Sequence, residues 1–298
     1  MDKHNGNTSV PALKATSSSE WIREPAAKAN LLATTFSSKF VLPAIVTNEY
    51  SWVQPPASSD EFVPVRHTEV AKTLTKMDID SGTGPDGLAT RVLKTCSREL
   101  GLPLAKLIRR IISEGFWPST WTTHWLVPLY KRKAVWDPGN YRAINLTTQI
   151  SKAAERFLSP MFVPDLEQRA FGPSQFAYRK FHGARDAILF YVLSWIGGIN
   201  SGNKIGIYCS DVAGAFDRVD AQVLMTKLES FGLNRKMLRV IRSWLRNRTG
   251  FVIVNGAKSD PMSLRNMVFQ GTVWGPSLWN AFFGDCVCVP FKGADSRR

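Results

Sequence analysis

Cysteine and histidine are both scarce in this chain, which has four of each among its 298 residues. Four cysteines are too few for a disulfide framework at this length, and Cys286 and Cys288 stand one residue too close for the usual zinc knuckle. The histidines follow no metal-binding spacing, and neither a Gly-x-Ser-x-Gly nor a Walker sequence occurs. We therefore expect reduced thiols in an intracellular compartment, either nuclear or cytoplasmic.

Long apolar runs are also missing. No stretch of about 18 apolar residues occurs, and the polar start at Asp2, Lys3, His4 and Asn5 is not followed by the apolar run of a signal peptide. Hydrophobic residues still make up 44% of the sequence, which is enough for a sizeable core. These features predict a folded protein that is neither secreted nor inserted in a membrane.

Acidic residues are outnumbered by basic ones. The 24 aspartates and glutamates stand against 38 lysines and arginines, which gives a formal net charge of +14 and an isoelectric point near 9.8. Such an excess predicts a polyanionic partner. Nucleic acid is the best candidate, although an acidic membrane surface has the same sign of charge.

The first part of the chain alternates between linker composition and helical periodicity. Residues 1–65 are rich in Ser, Thr, Pro and Ala, most clearly at 53–61, which indicates a linker. A strand at 125–130, a basic turn at 131–133 and a returning strand at 141–146 predict a hairpin. Apolar spacing predicts four helices before it, at residues 25–40, 68–77, 89–99 and 102–113.

Asp211 stands alone at the exit of an apolar segment, residues 205–209, whose alternation predicts a strand. A strand-end carboxylate, with the next backbone carbonyl, suits a hard divalent cation. Taken alone, an aspartate in this position is more often a turn former or a helix cap. Besides Asp211, the sequence has a polar turn at Gln270-Gly271. This turn is followed by Gly275-Pro276 and an apolar helix.

A stripe of arginines lies between these two features. Asp220 and Asn234 are the predicted N-caps of two consecutive helices. Between residues 230 and 259 no carboxylate is present to neutralise the arginines, so an external phosphate explains the stripe, and a solvated face explains it equally well. The arginines of the second helix follow spacings of four, three and four residues: Arg235, Arg239, Arg242 and Arg246.

Five blocks in chain order resemble the reverse transcriptase domain of non-LTR, or LINE-type, retrotransposons. They include the D-x-x-x-A-F-D run that begins at Asp211 and the Tyr-Arg-x-Ile-x-Leu sequence at 141–146. Ala143 stands where that family usually has proline, and Ala177 stands where it usually has glycine. The blocks lie at residues 82–94, 126–146, 175–186, 205–220 and 268–285.

The resemblance implies an α/β (α+β) right-hand polymerase fold. Residues 1–65 would be a linker and pre-fingers segment, residues 66–203 the fingers, and residues 204–298 a partial palm built on a small antiparallel sheet. The family also has an Ala-Asp-Asp turn on a later hairpin, and no two aspartates are adjacent in this sequence. We therefore expect a domain that is truncated before that turn and lacks the thumb.

The resemblance also implies a metal site. Asp211 would be the catalytic ligand of two Mg²⁺ or Mn²⁺ ions, together with the backbone carbonyl of Val212. Two divalent ions about 4 Å apart can activate a primer hydroxyl and neutralise the leaving pyrophosphate. Because the second aspartate pair is missing from the sequence, we expect this chain to be inactive by itself. The alternatives are a non-catalytic nucleic-acid-binding remnant and a decayed product that does not fold.

The same resemblance assigns the substrate contacts. Lys131 and Arg142 would bind the triphosphate of a dNTP, Phe216 would exclude the sugar 2′-hydroxyl, and Gln270 with Gly271 would pack beneath the templating base pair. The macromolecular partners would be an RNA template and a DNA primer, and the oligomeric state stays open. The expected nucleic-acid contacts are Arg179, Arg235, Arg239, Arg242 and Arg246.

Overall fold

The structure is a computed structural model that describes residues 10–14, 20–42 and 64–287. The linker predicted at 53–61 lies outside the described residues. The elements of the first half are β1 (Leu13–Lys14), β2 (Trp21–Ile22), α1 (Pro25–Lys39), α2 (His67–Thr75), α3 (Thr90–Thr95), α4 (Ser97–Glu114), β3 (Thr123–Tyr130), β4 (Tyr141–Leu146) and α5 (Gln149–Leu158). Those of the second half are α6 (Val163–Arg169), α7 (Ala184–Asn200), α8 (Ala221–Ser230), α9 (Arg235–Leu245), β5 (Arg248–Val254), β6 (Ala257–Lys258), β7 (Met262–Leu264) and α10 (Gly275–Phe283).

The predicted early helices are present with small shifts in their bounds. α1 begins where the side chain of Glu24 accepts hydrogen bonds from the backbone N–H groups of Ala26 and Ala27. The predicted break near residue 100 is wrong, because α4 begins at Ser97 and continues to Gly115, whose φ of 71° ends it. α1 and α4 thus follow the local sequence signals, and only the α3–α4 boundary departs from them.

The predicted hairpin of β3 and β4 is confirmed and forms one side of a mixed sheet, with β4 at the edge. β3 and β4 pair antiparallel from Trp125 opposite Leu146 to Tyr130 opposite Tyr141. β5 lies on the other side of β3 and runs parallel to it, and β6 and β7 each pair antiparallel with β5. The sheet therefore joins residues of the proposed fingers with residues far beyond position 204.

An aromatic cluster fills the core beside this sheet. Trp274 is at its centre, with ring centroids 5.2 Å from Trp117, 5.3 Å from Phe162 and 5.5 Å from Trp244. Trp244, which comes from α9, also packs edge to face on Phe269 at 5.0 Å. Because Phe269 and Trp274 flank the Gln270-Gly271 turn, this turn is attached at both ends to the buried aromatic cluster.

The region from α7 to Asp211 packs against the rest of the protein much less than the aromatic cluster does. Residues 205–209 form no strand, so the predicted strand before Asp211 is wrong, and no residue of α7 is buried. Ile207 is 59% and Tyr208 78% exposed. A strand needs a neighbour to satisfy its backbone groups, and no segment among residues 64–287 pairs with this one.

Within the described ranges, no helix is long and apolar enough to cross a membrane.

Candidate functional site

Asp211 lies in the exposed segment 204–212, which we call the Asp211 segment. Both Asp211 and Val212 are exposed, and neither belongs to a helix or strand. Among the described residues no group of three or more His, Cys, Asp or Glu side chains could hold a metal ion. The residues that the structure places here therefore do not amount to a two-ion site, and the ligand roles of Asp211 and Val212 stay predictions.

The turn that follows, residues 213–219, places Phe216 against the block at residues 268–285. The backbone carbonyl of Phe216 accepts a hydrogen bond from the N–H of Val268 at 3.0 Å. The Phe216 ring stacks on Trp279 of α10 at 5.8 Å and meets Tyr178 edge to face at 5.7 Å. Phe216 and the Gln270-Gly271 turn are 54 positions apart in the sequence, and the structure places them side by side.

The Gln270 loop, which we define as residues 269–274, is fixed first by Asn145 of β4. The carbonyl oxygen of Gln270 accepts one hydrogen bond from the backbone N–H of Asn145 at 2.8 Å and another from its side-chain amide at 3.2 Å. Gly271 has φ of +105°, and a Cβ atom there would lie 2.5 Å from the carbonyl oxygen of Asn145. Gly271 is thus required both by its backbone conformation and by the close approach of β4.

Asn145 is itself oriented by a buried chain of hydrogen bonds. Nη1 of Arg248 donates to Nε2 of His124 at 2.6 Å, and Nδ1 of His124 donates to the side-chain oxygen of Asn145 at 2.9 Å. Burial and the charge of Arg248 hold the pKa of His124 well below its usual value, so the ring is neutral and its tautomer is fixed. The chain of donors runs from Arg248 through His124 and Asn145 to Gln270.

Glu155 of α5 fixes the other end of the Gln270 loop. Its Oε2 atom accepts from the backbone N–H of Val273 at 2.7 Å and of Trp274 at 3.3 Å, and its Oε1 atom accepts from Nε1 of Trp244 at 3.1 Å. Burial raises the pKa of Glu155, while these donors and the nearby Arg248 lower it. The side chain is fully buried, and its carboxylate accepts hydrogen bonds from three described donors.

Arg248 completes this buried network. Its guanidinium lies 4.8 Å from the ring centroids of both Trp244 and Phe269, and its Nε atom donates to the carbonyl oxygen of Trp244 at 2.6 Å. Burial lowers the pKa of Arg248 to about 9, and the carboxylate of Glu155 acts in the opposite direction. Stacking on two rings stabilises a cation that water does not reach.

Sequence reasoning missed the roles of His124, Asn145, Glu155 and Arg248 in this network, although one signal was available. Asn145 falls on the buried face of β4, in alternation with Tyr141 and Ala143, and His124 alternates with Leu126 on β3. Polar residues at inward positions of a strand require buried partners. Their partners Arg248 and Gln270, however, lie 124 and 125 residues further along the chain, and periodicity does not reveal such partners.

Lys131 and Arg142, the predicted triphosphate ligands, lie together at the end of the hairpin. They share the surroundings of Asp217 with Lys39 of α1, a cation that the sequence reading did not include. Burial raises the pKa of Asp217, and these cations lower it. Nζ of Lys39 donates to the carbonyl oxygens of Gly139 and Tyr141, at 3.2 Å each. With Arg218, which also lowers the pKa of Asp217, four cations and one carboxylate lie close together beside the Phe216 turn.

The Gln175 block docks on α10. Gln175 donates to Oδ1 of Asn280 at 2.9 Å, and Nδ2 of Asn280 donates to the carbonyl oxygen of Ala177 at 2.8 Å. Tyr178 takes the left-handed conformation with φ of 54°, so the backbone turns here even though Ala177 is not glycine. The predicted contact Arg179 is half-buried on this loop, where its Nη1 atom lies 3.5 Å from the carbonyl oxygen of Gly172.

The arginine stripe on α9 is present, and one expectation about it is wrong. α8 and α9 begin at the predicted caps Asp220 and Asn234, whose side chains accept from backbone N–H groups of the first turns. Arg242 is not without a carboxylate, because its Nη2 atom forms an ion pair with Glu229 at 2.5 Å. Glu229 lies one residue before the carboxylate-free stretch 230–259 and belongs to the neighbouring helix α8.

The structure is that of a mixed α/β protein. Comparison with known protein families identifies the class to which it belongs. A model of the family described as reverse transcriptase (RNA-dependent DNA polymerase) matches residues 130–288, more than half of the chain. The chain belongs to this family.

Its relatives specify the kind of reverse transcriptase. The chain is 25% identical to the probable RNA-directed DNA polymerase from transposon BS of Drosophila melanogaster, over 91% of this chain and 31% of the relative. It is 24% identical to the RNA-directed DNA polymerase from mobile element jockey of Drosophila funebris, over 89% of this chain and 30% of the relative. The chain is thus similar to polymerases of non-LTR retrotransposons, and it spans about a third of their length.

Proposed function

We propose that this chain is the part of a retrotransposon reverse transcriptase that positions the template base pair and the incoming nucleotide. The observation that carries the proposal is the packing of the Phe216 turn against the Gln270 loop and α10. Phe216 stacks on Trp279, and its backbone is bonded to Val268 immediately before the loop. The partners would be an RNA template, a DNA primer and a dNTP.

The residue roles follow from this packing. Lys131 and Arg142 would contact the triphosphate, since a guanidinium binds phosphate bidentately and an ammonium acts as a mobile point charge. Phe216 would lie against the sugar, and Gln270 with Gly271 would contact the base pair. The buried bonds from Asn145 would keep that loop in place before substrate arrives.

Metal chemistry is the part that these residues do not complete. Mg²⁺ is the cation expected for this family, and Asp211 with the carbonyl of Val212 would supply ligands to it. Asp211 is exposed on a segment outside any sheet, so we propose that the 298-residue chain does not polymerise by itself. The second candidate function, nucleic-acid binding without catalysis, is supported by the same exposure and by the basic surface.

Primer extension separates the two candidates. The experiment uses the 298-residue chain and a chimaera in which residues 1–287 continue into the downstream segment of the jockey polymerase. With an RNA template, a DNA primer, dNTPs and Mg²⁺, we expect extension by the chimaera and none by the chain. Asp211→Asn should reduce the chimaera's rate by at least about a thousandfold, whereas the exposed control Asp80→Asn should leave it unchanged.

Two results would contradict the proposal in different ways. A chimaera that binds the RNA–DNA duplex but does not extend the primer supports the non-catalytic candidate. Extension by the 298-residue chain, abolished by Asp211→Asn, shows that the site is complete without further residues.

A further inference from the structure

A polar pocket of about 480 Å³ lies between the end of α4 and the second half of α9. We call it the arginine pocket. One wall comes from the turn after α4 and includes Ser119 and Thr122, and the other comes from α9 and the residue after it. No carboxylate is among the residues that line it. The α9 wall contributes Arg239, Arg242 and Arg246.

The pocket is held in shape by contacts between its two walls. The Oγ atom of Ser243 on α9 accepts a hydrogen bond from the backbone N–H of Trp117 at 2.8 Å. Gly115 has φ of 71°, and a Cβ atom there would lie 2.7 Å from Cβ of Arg239. The glycine therefore lets the end of α4 pack directly on the stem of Arg239, which restricts that side chain before any ligand binds.

Charge in the pocket is only partly neutralised. Arg242 forms the ion pair with Glu229. The guanidinium groups of Arg239 and Arg246 make no hydrogen bond or ion pair with other residues in the described part of the chain. Like charges at helical spacing repel one another, so two unpaired guanidiniums beside hydroxyl groups favour an anion with several oxygen acceptors.

The arginine pocket also adjoins the candidate site. A second pocket of about 250 Å³ shares Arg242 and Arg246 with it and is further lined by Asp220 and Asn266. The carbonyl of Asn266 accepts a hydrogen bond from the N–H of Val219 at the end of the Phe216 turn. A strand that passes the Phe216 turn would therefore reach Arg246 without leaving the surface of this part of the molecule.

We propose that the arginine pocket binds a backbone phosphate of the nucleic acid, through Arg239 and Arg246. This deepens the proposed function and rests on its nucleic-acid partner, but it does not depend on catalysis. The structure separates the stripe into two classes, since Arg239, Arg242 and Arg246 line the pocket and Arg235 does not.

The test measures binding of the 298-residue chain to a labelled RNA–DNA duplex by fluorescence anisotropy. The salt concentration is varied between about 50 and 200 mM KCl, a range over which phosphate contacts strongly affect affinity. The double variant Arg239→Gln/Arg246→Gln removes the two unpaired pocket cations. The charge-matched control Arg98→Gln/Lys106→Gln removes two exposed cations of α4 that neither line the pocket nor belong to the expected nucleic-acid contacts. Far-UV circular dichroism and melting confirm that all proteins are folded.

We expect the pocket variant to lose about two units of the slope of log K against log salt, and on the order of tenfold in affinity per contact at 100 mM salt. The control should lose less than half a unit. Equal losses in both variants would overturn the proposal, because they indicate a diffuse field. So would unchanged duplex binding combined with pocket-dependent binding to anionic phospholipid vesicles.

Failure of this proposal and failure of the polymerase proposal are distinguishable. If the pocket variant loses its salt slope while the chimaera does not extend a primer, the pocket stands and the catalytic assignment fails. If the chimaera extends a primer and the two double variants bind alike, the reverse holds. Inorganic phosphate, added as a competitor, should weaken duplex binding by the unmodified chain more than by the pocket variant.

Discussion

The Gln270 loop and the Asp211 segment lie in two of the blocks that resemble the reverse transcriptase family, and the structure fixes the first of them far more than the second. The loop is bonded to β4 through Asn145 and to α5 through Glu155, and its flanking aromatic rings are buried. The Asp211 segment is exposed and has no strand beside it among the described residues. Buried polar side chains can fix a loop at single points, whereas a strand needs a neighbour along its whole length.

Removal of Glu155 should have the largest effect on this comparison. Glu155→Ala leaves three N–H groups without an acceptor and Arg248 without its compensating charge. We expect the free energy of unfolding to fall by about 3–5 kcal/mol, and the isosteric Glu155→Gln variant to lose about 1–3 kcal/mol. Urea unfolding measures both values.

The control for this prediction is Glu114→Ala. Glu114 pairs with Arg110 on the exposed face of α4, where an ion pair has little effect on stability. A loss in the Glu114 variant as large as that in the Glu155 variant would contradict the anchoring role of Glu155.

Glycine substitutions sharpen the account of the loop. Gly271 and Gly256 both have positive φ, at 105° and 81°, but only Gly271 approaches another backbone, and Gly256 stands in open space. Gly256→Ala should lower the free energy of unfolding by about 1–2 kcal/mol through backbone strain alone. Gly271→Ala should lose clearly more, because β4 must move away from the new methyl group.

Urea unfolding of the two alanine variants checks this prediction. Equal losses would mean that the contact between Gly271 and Asn145 does not constrain the loop.

The pH dependence of stability should report the His124 contact. The folded-state pKa of His124 lies well below its ordinary value of 6.5, chiefly because the ring is buried. Above pH 6.5 the ring is neutral in both states. As the pH falls below 6.5 the unfolded chain binds a proton that the folded chain does not, so stability decreases by up to about 1.4 kcal/mol per pH unit.

His124→Gln should reduce this slope between pH 6.5 and 5.5, while His182→Gln, on the exposed Gln175 block, should keep it. Urea unfolding at several pH values provides the comparison. A slope in the His124 variant that matches the unmodified chain would show that the ring is not buried in its neutral form.

Local signals explain how much of the fold the sequence predicts. The N-caps Asp220 and Asn234, the hairpin of β3 and β4, and α1 are each encoded within one short continuous stretch of the sequence, and all are found. The parallel pairing of β3 with β5 joins Thr123 to Thr249. Nothing in either segment alone specifies that partner, because side-chain alternation does not identify which strands meet.

The candidate site shows the same limit. Sequence reasoning assigned Phe216 and the Gln270 loop to nucleotide binding through the family resemblance, and these roles stay predictions. It failed for residues 205–209, whose alternating pattern fits a strand but whose strand requires a partner. It also missed Glu155 and Lys39, whose roles depend on neighbours more than 70 residues away.

Amide hydrogen exchange on the 298-residue chain without substrate tests the central claim most directly. If the Gln270 loop is fixed in advance and the Asp211 segment is not, the amides of Asn145, Val268 and Val273 should be strongly protected, because each donates to a described acceptor. The amides of residues 205–212 should then exchange at nearly the rate of an unstructured peptide. Equal protection of the two regions would contradict the account.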